Sequence, residues 1–163
     1  MQPKAFLRAA RARTAIVCLG ALLMANCGGS DDSNLPISSQ TLSGKIGGQP
    51  WSLVMAQSNA SLSDSTKYFI IMYPTAFTAC QSFAEPSNVN EILVDLPNKP
   101  GNYTLGMTMT ATFYNASTSD NLGATRGRIQ IDSVTSTTLS GGANFTYNAD
   151  NTIDGQFQVT ICP

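Results

Sequence analysis

Residues 41–163 are expected to form an all-β fold, a single antiparallel β-sandwich or small β-barrel, and three features of the sequence say so. Apolar residues recur with period two from Thr41 onward, clusters of Gly, Pro, Asn and Asp interrupt them at short intervals, and no stretch shows the 3.6-residue period of a long amphipathic helix. Only Ala76–Glu85 has room for a helical turn. About seven to nine short strands in one domain fit either architecture.

Thr41–Ile46 and Trp51–Gln57 flank Gly47-Gly48-Gln49-Pro50, a hairpin signal, because tight hairpin turns need positive φ and glycine supplies it without steric cost. Trp51, Leu53 and Met55 fall on one face of the second strand. Lys67–Tyr73 is apolar on both faces, as a central strand is. Within Glu91–Leu96, alternation turns Ile92, Val94 and Leu96 inward and Glu91 and Asp95 to water. Asn98-Lys99-Pro100-Gly101 reads as a type II turn. Leu105, Met107, Met109, Ala111 and Phe113 then alternate with threonines, Ser117–Gly123 reads as a loop, and Ile129 and Ile131 alternate with Arg128, Gln130 and Asp132. A last hairpin joins a strand around Asn144–Tyr147 to Ile153–Ile161 through Ala149-Asp150-Asn151, with Phe157, Val159 and Ile161 facing in.

Ahead of this domain the chain changes character. Lys4, Arg8, Arg11 and Arg13 precede an apolar run from about Thr14 to Ala25, which ends at Leu23-Met24-Ala25-Asn26-Cys27 and is followed by Gly28-Gly29-Ser30-Asp31-Asp32-Ser33. About a dozen apolar residues suit a secretory segment and are too short to cross a hydrocarbon core of roughly 30 Å. Leu23, Ala25 and Cys27 resemble the type II signal of bacterial lipoproteins, in which the cysteine is acylated and becomes the first mature residue; Asn26 departs from the small residue usual there. The resemblance implies a signal peptide over 1–26, lipidation at Cys27, a flexible linker to residue 40, and the β-domain from 41 to 163. It also implies a bacterial cell-envelope address, with Gly28 after the cysteine fitting the outer membrane. By composition, thirteen linker residues form a loose coil of roughly 20 Å root-mean-square span.

Arg126-Gly127-Arg128-Ile129-Gln130-Ile131, the Ser140-Gly141 step, Ile153-Asp154-Gly155-Gln156-Phe157-Gln158-Val159 and a terminal cysteine are similar to the C-terminal half of small, mostly uncharacterised bacterial lipoproteins. Together with Gly44-Lys45-Ile46-Gly47-Gly48-Gln49-Pro50-Trp51, the likeness covers most of the mature domain. These motifs are turns and core positions, so they imply a fold and an address and no activity.

Under that reading Cys18 leaves with the signal and Cys27 is acylated, so Cys80 and Cys162 remain. In an oxidising compartment they are expected to pair, closing a loop of about 83 residues, the alternative being two free thiols. Cys162 falls in the outward phase, so the bridge is expected to pin the Cys80 loop on a rim or outer face.

Charge narrows the partners. Of nine basic residues four precede Cys27, leaving five against ten acidic ones, a net charge of −5 for the mature chain. That balance argues against nucleic acid as a partner. The membrane, reached through the acyl chains, is the partner implied, with an envelope glycan or protein as a further one.

Catalytic and cofactor motifs are absent, so no cofactor is expected and the chain reads as a non-enzyme. With no histidine, a Ser–His–Asp triad is impossible and a cysteine nucleophile lacks its usual base. Glu85, Glu91 and Asp95 are the mid-chain carboxylates open to hydrolase chemistry; Glu91 and Asp95, four apart on one strand, lie about 13 Å from each other, too far for a glycosidase pair. Asp150-x-Thr152-x-Asp154-Gly155 carries part of a calcium-loop spacing but lacks its final glutamate, and hairpin chemistry explains the same residues. Tyr103 and Tyr114, each beside a turn or loop, are the candidates for stacking on a sugar. The function expected is that of a lipid-anchored envelope domain acting by binding or structural presence, with a carbohydrate or apolar-ligand module as the alternative.

Overall fold

The computed structural model describes residues 31–60, 64–81 and 84–163. Cys27 and the whole expected signal lie outside them. Among these residues eleven strands form one curled sheet, a half-barrel: β1 (Ser43–Ile46), β2 (Gln49–Ser52), β3 (Met55–Ala60), β4 (Lys67–Tyr73), β5 (Glu91–Pro97), β6 (Gly101–Thr104), β7 (Thr110–Asn115), β8 (Asp120–Gly123), β9 (Arg126–Val134), β10 (Thr138–Asn148) and β11 (Asn151–Ile161). Their order is β6-β9-β10-β11-β3-β4-β5-β7-β8, with the β1–β2 hairpin joined to β11.

The all-β class is as expected, but the sheet is mixed rather than antiparallel. β11 pairs with β3 in parallel, Thr160 against Gln57 and Ile161 against Ser58. This follows from topology: β3 lies beside the last strand of the chain, which it reaches by a long crossover instead of a hairpin.

The concave face holds the core. Ile70 and Met72 of β4, Val94 of β5, Phe113 of β7, Phe145 of β10 and Val159 of β11 are all buried there. Each such side chain contributes roughly 1.5–3 kcal/mol on leaving water. Gly47 and Gly48 turn β1 into β2 with φ of 60° and 75°, both left-handed, as a tight hairpin requires. Asn90 closes one end of the half-barrel. Its carbonyl accepts from Trp51 Nε1 at 3.0 Å, its amide donates to the Ile46 carbonyl at 3.3 Å, and its Oδ1 accepts from Ala116 N–H at 2.9 Å. The β1–β2 hairpin is thereby tied to the loops flanking β5 and β7.

Several local expectations are corrected. Trp51–Gln57 is two strands: Leu53 N–H still bonds the Leu42 carbonyl beside β1, whereas Val54 N–H bonds Tyr73 beside β4. The corner shifts the alternation by one residue, so Trp51 and Ala56 are both buried, Val54 is exposed, and Met55 is only half-buried. Met107 continues the inward pattern in sequence but is 98% exposed, because Leu105–Met109 is a connection between β6 and β7. Ser117–Gly123 contains β8, which pairs with β7. Ala76–Glu85 holds no helical turn among its described residues. The Ser140-Gly141 step is a bulge, where the register against β9 passes from Ser133 to Ile131.

Candidate functional site

Composition makes residues 31–40 a loose linker; in the structure they are a strap bound to the sheet. A 3₁₀ turn, Asp32–Asn34, opens it. The Asp32 carboxylate pairs with Arg126 Nε at 2.8 Å and accepts from Gly127 N–H at 2.8 Å. Farther along, Pro36 O accepts from the Asn144 amide, Ser38 N–H donates to Asp154 Oδ1, and Ser38 O accepts from Gln156 Nε2 at 2.7 Å. The strap so crosses β9, β10 and β11 in turn. It can approach because glycine lies beneath it: a Cβ on Gly142 would meet Ile37 at 2.6 Å, and one on Gly155 would meet the Gln40 carbonyl at 2.6 Å. Glycine inside a strand is a sequence sign of close backbone approach, and here it marks a contact that composition concealed.

A second cluster surrounds the bridge between Cys80 and Cys162, whose Cα atoms lie 5.3 Å apart. Gln57, 3% exposed on the convex side of β3, organises it. Its Oε1 accepts from Cys80 N–H at 2.8 Å and its Nε2 donates to Glu85 Oε1 at 2.5 Å. Tyr73 packs edge-on against Phe77, with ring centroids 4.8 Å apart. Glu91 pairs across strands with Tyr114 and follows the same convex face. It is half-buried and not freely pointed at water as alternation suggested. Burial, and then the nearby Glu85 carboxylate, raise its pKa; burial likewise raises the Tyr73 phenol, with the Glu85 and Glu91 charges adding to it. The result is an acidic and aromatic patch with a covalently fastened loop over it. Asp95 stands apart, paired with Lys67 at 3.2 Å.

A third feature is a cleft of about 550 Å³ at the seam where β11 exchanges neighbours. β1 accompanies β11 at Thr152–Asp154, Gln40 and Leu42 hold Gln156, and β3 takes over only at Thr160. Opposite Gln158 the chain turns its corner at Leu53–Val54, and the gap is lined by Thr41, Leu53, Val54, Gln158 and Thr160 among others, none of them charged.

Tyr103 and Tyr114 are not brought together. Tyr103 packs against the core and its hydroxyl donates to the Lys99 carbonyl at 3.1 Å, so it braces the turn before β6. Tyr114 belongs to the patch beside Glu91. Asp150 sits in the β10–β11 turn, where its N–H bonds Asn148 Oδ1, while Asp154 holds Ser38. Among the described residues no group of three or more His, Cys, Asp or Glu side chains is placed to hold a metal ion. The bridge was legible from the sequence; the role of Gln57 was not, for nothing in the sequence sets it apart from other polar strand residues. No family profile, curated protein or solved structure matches this chain.

Proposed function

We propose that this protein is a lipid-anchored, disulfide-closed β-domain of the bacterial cell envelope, held to the outer membrane through Cys27 and acting by binding or structural presence. The observation that carries the reading is the order of residues about Cys27, basic, then apolar, then Leu-x-Ala-x-Cys. The bridge between Cys80 and Cys162 supports it, since such bonds persist in compartments outside the cytoplasm. Two acyl chains, at about 0.8 kcal/mol per buried methylene, hold a protein on a bilayer almost permanently. Growth with an alkyne fatty acid is expected to label the wild type and leave Cys27→Ser unlabelled. An unlabelled wild type whose N-terminus lies elsewhere overturns the reading.

The seam cleft favours a second reading, a site for a neutral saccharide. Hydroxyls and an amide with no charge suit a polyol. A glycan array is expected to show binding that Gln158→Ala weakens; an empty array removes this reading.

A further inference from the structure

The strap has a consequence for how an anchored domain stands on its membrane. The chain is fastened to the β-domain from Asp32 onward, through Arg126, Gly127 and, at the Ser33 carbonyl, Arg128 Nη1 at 3.0 Å. Covalent geometry alone then limits position 27. Four peptide units separate Cys27 from Asp31, and they span at most about 15 Å. A domain of this size has a diameter of roughly 35 Å. The attachment point lies beside β6 and β9, at one end of the strand order. A tether of that length cannot present the opposite wall, where the Cys80 loop covers β3 and β4, to the same bilayer.

We propose that the β6–β9 edge, together with the first turn of the strap, is the membrane-apposed face and rests on phospholipid headgroups. This rests on the anchor reading above. Its chemistry suits that partner. Asn102 and Thr104 are exposed on β6, and the Arg126 side chain is 49% exposed beyond its pairing with Asp32. Arg126 and Arg128 are the only two basic residues of the mature chain close in sequence, and they meet at the place where the chain leaves the domain. Asp31 and Asp32 offset them, so the face is nearly neutral and takes zwitterionic headgroups without needing an anionic surface. Among the described residues β6 pairs only with β9, and apposition would cover its other edge, where backbone groups could otherwise recruit another strand.

The test uses full-length protein processed in a bacterium, purified with its bridge intact and reconstituted in phosphatidylcholine vesicles carrying a headgroup spin-label quencher. A fluorophore is placed at Asn102→Cys or, on the far wall, at the exposed Ser87→Cys. Quenching at position 102 is expected to exceed that at 87 by about threefold or more, on the scale of a domain roughly 35 Å across. A Gly/Ser spacer of about 20 residues between Ser30 and Asp31 adds a reach of roughly 25 Å and should bring the ratio towards one. Equal quenching in acylated protein without the spacer overturns the orientation and leaves the anchor standing. Shielding of position 102 that grows with protein density and ignores the lipid quencher assigns the edge to a second copy of the chain, and also overturns it. A chain whose mass shows no acyl group at Cys27 removes both the anchor and the orientation.

Discussion

Residues 31–40 and the segment around Cys80 both run over the convex side of the sheet, yet they are held by opposite means. The strap has no covalent tie. It relies on one ion pair, a series of side-chain hydrogen bonds and glycines that let it lie close to the strands. The Cys80 segment is fixed at one point by a bond to Cys162, and Gln57 and Tyr73 organise the rest. Polar seating spread over ten residues yields gradually, whereas a single cross-link yields all at once. The two should therefore respond differently to the same perturbation.

The largest difference is expected on breaking the bridge. Its span of 82 residues corresponds to about 4–5 kcal/mol in the chain-entropy model. Cys80→Ser with Cys162→Ser should lose about 3–4 kcal/mol in urea unfolding, because measured bridges commonly fall short of that model. Amide exchange should quicken near Cys80 and stay slow over 31–40. Equal loss of protection in both segments would show that they form one cooperative unit.

Much of this fold could be read from the chain. Phe157, Val159 and Ile161, or Ile92, Val94 and Leu96, point where alternation puts them, because a strand with one buried face has no other way to place its apolar residues. The pairing of Cys80 with Cys162 is what the lipoprotein resemblance implies, because it assigns Cys18 and Cys27 elsewhere. What escaped was tertiary in origin. The corner at Leu53–Val54 inverts the phase of β3 through a change of neighbour, which no local pattern encodes. The strap looked like linker because Ser, Asp and Asn are common in both; its partners Arg126, Asn144 and Asp154 lie about a hundred residues away. Gly142 in the middle of β10 and Gly155 in the middle of β11 were the available signal. Alternation alone turns Glu91 to solvent, because it gives the face of a residue and not what covers that face.

The seat of the strap offers the next largest effect. Gly155 has φ 141°, and a Cβ there would stand 2.6 Å from the Gln40 carbonyl and 2.7 Å from Leu42 Cα, both of them backbone. Gly155→Ala should cost about 2–3 kcal/mol through strain and displacement, and it should raise exchange over 31–42 while leaving the Cys80 segment protected. A smaller loss is expected from Asp32→Ala. It removes a partly exposed ion pair and the acceptor for Gly127 N–H, together about 1 kcal/mol. Release of residues 31–34 alone, with Ser38 still seated, would sharpen the picture of gradual yielding; release of the whole strap would make it a single latch.

The smallest effect separates the two segments by sign. Glu91, beside the Cys80 segment, has its folded pKa raised above the ordinary 4.5, so its contribution is complete below that value and fades as pH climbs through the folded one. Asp31, at the head of the strap, is held below 3.8 by the Ser33 hydroxyl and then its N–H, so its contribution is present above 3.8 and fades as pH falls through the folded value. Acid should favour the loop and loosen the turn at the head of the strap. Glu91→Gln removes the half-buried charge next to Glu85, so it should stabilise the protein at pH 7 by a few tenths of a kcal/mol, discounted for solvent screening, and leave it unchanged near pH 4. Urea midpoints of the two proteins at both pH values measure this directly, since carboxylates that do not interact with Glu91 titrate in both and cancel. A gap of the same size at pH 4 and pH 7 would mean that the substitution acts through packing against Tyr114 and not through the charge that Glu85 opposes.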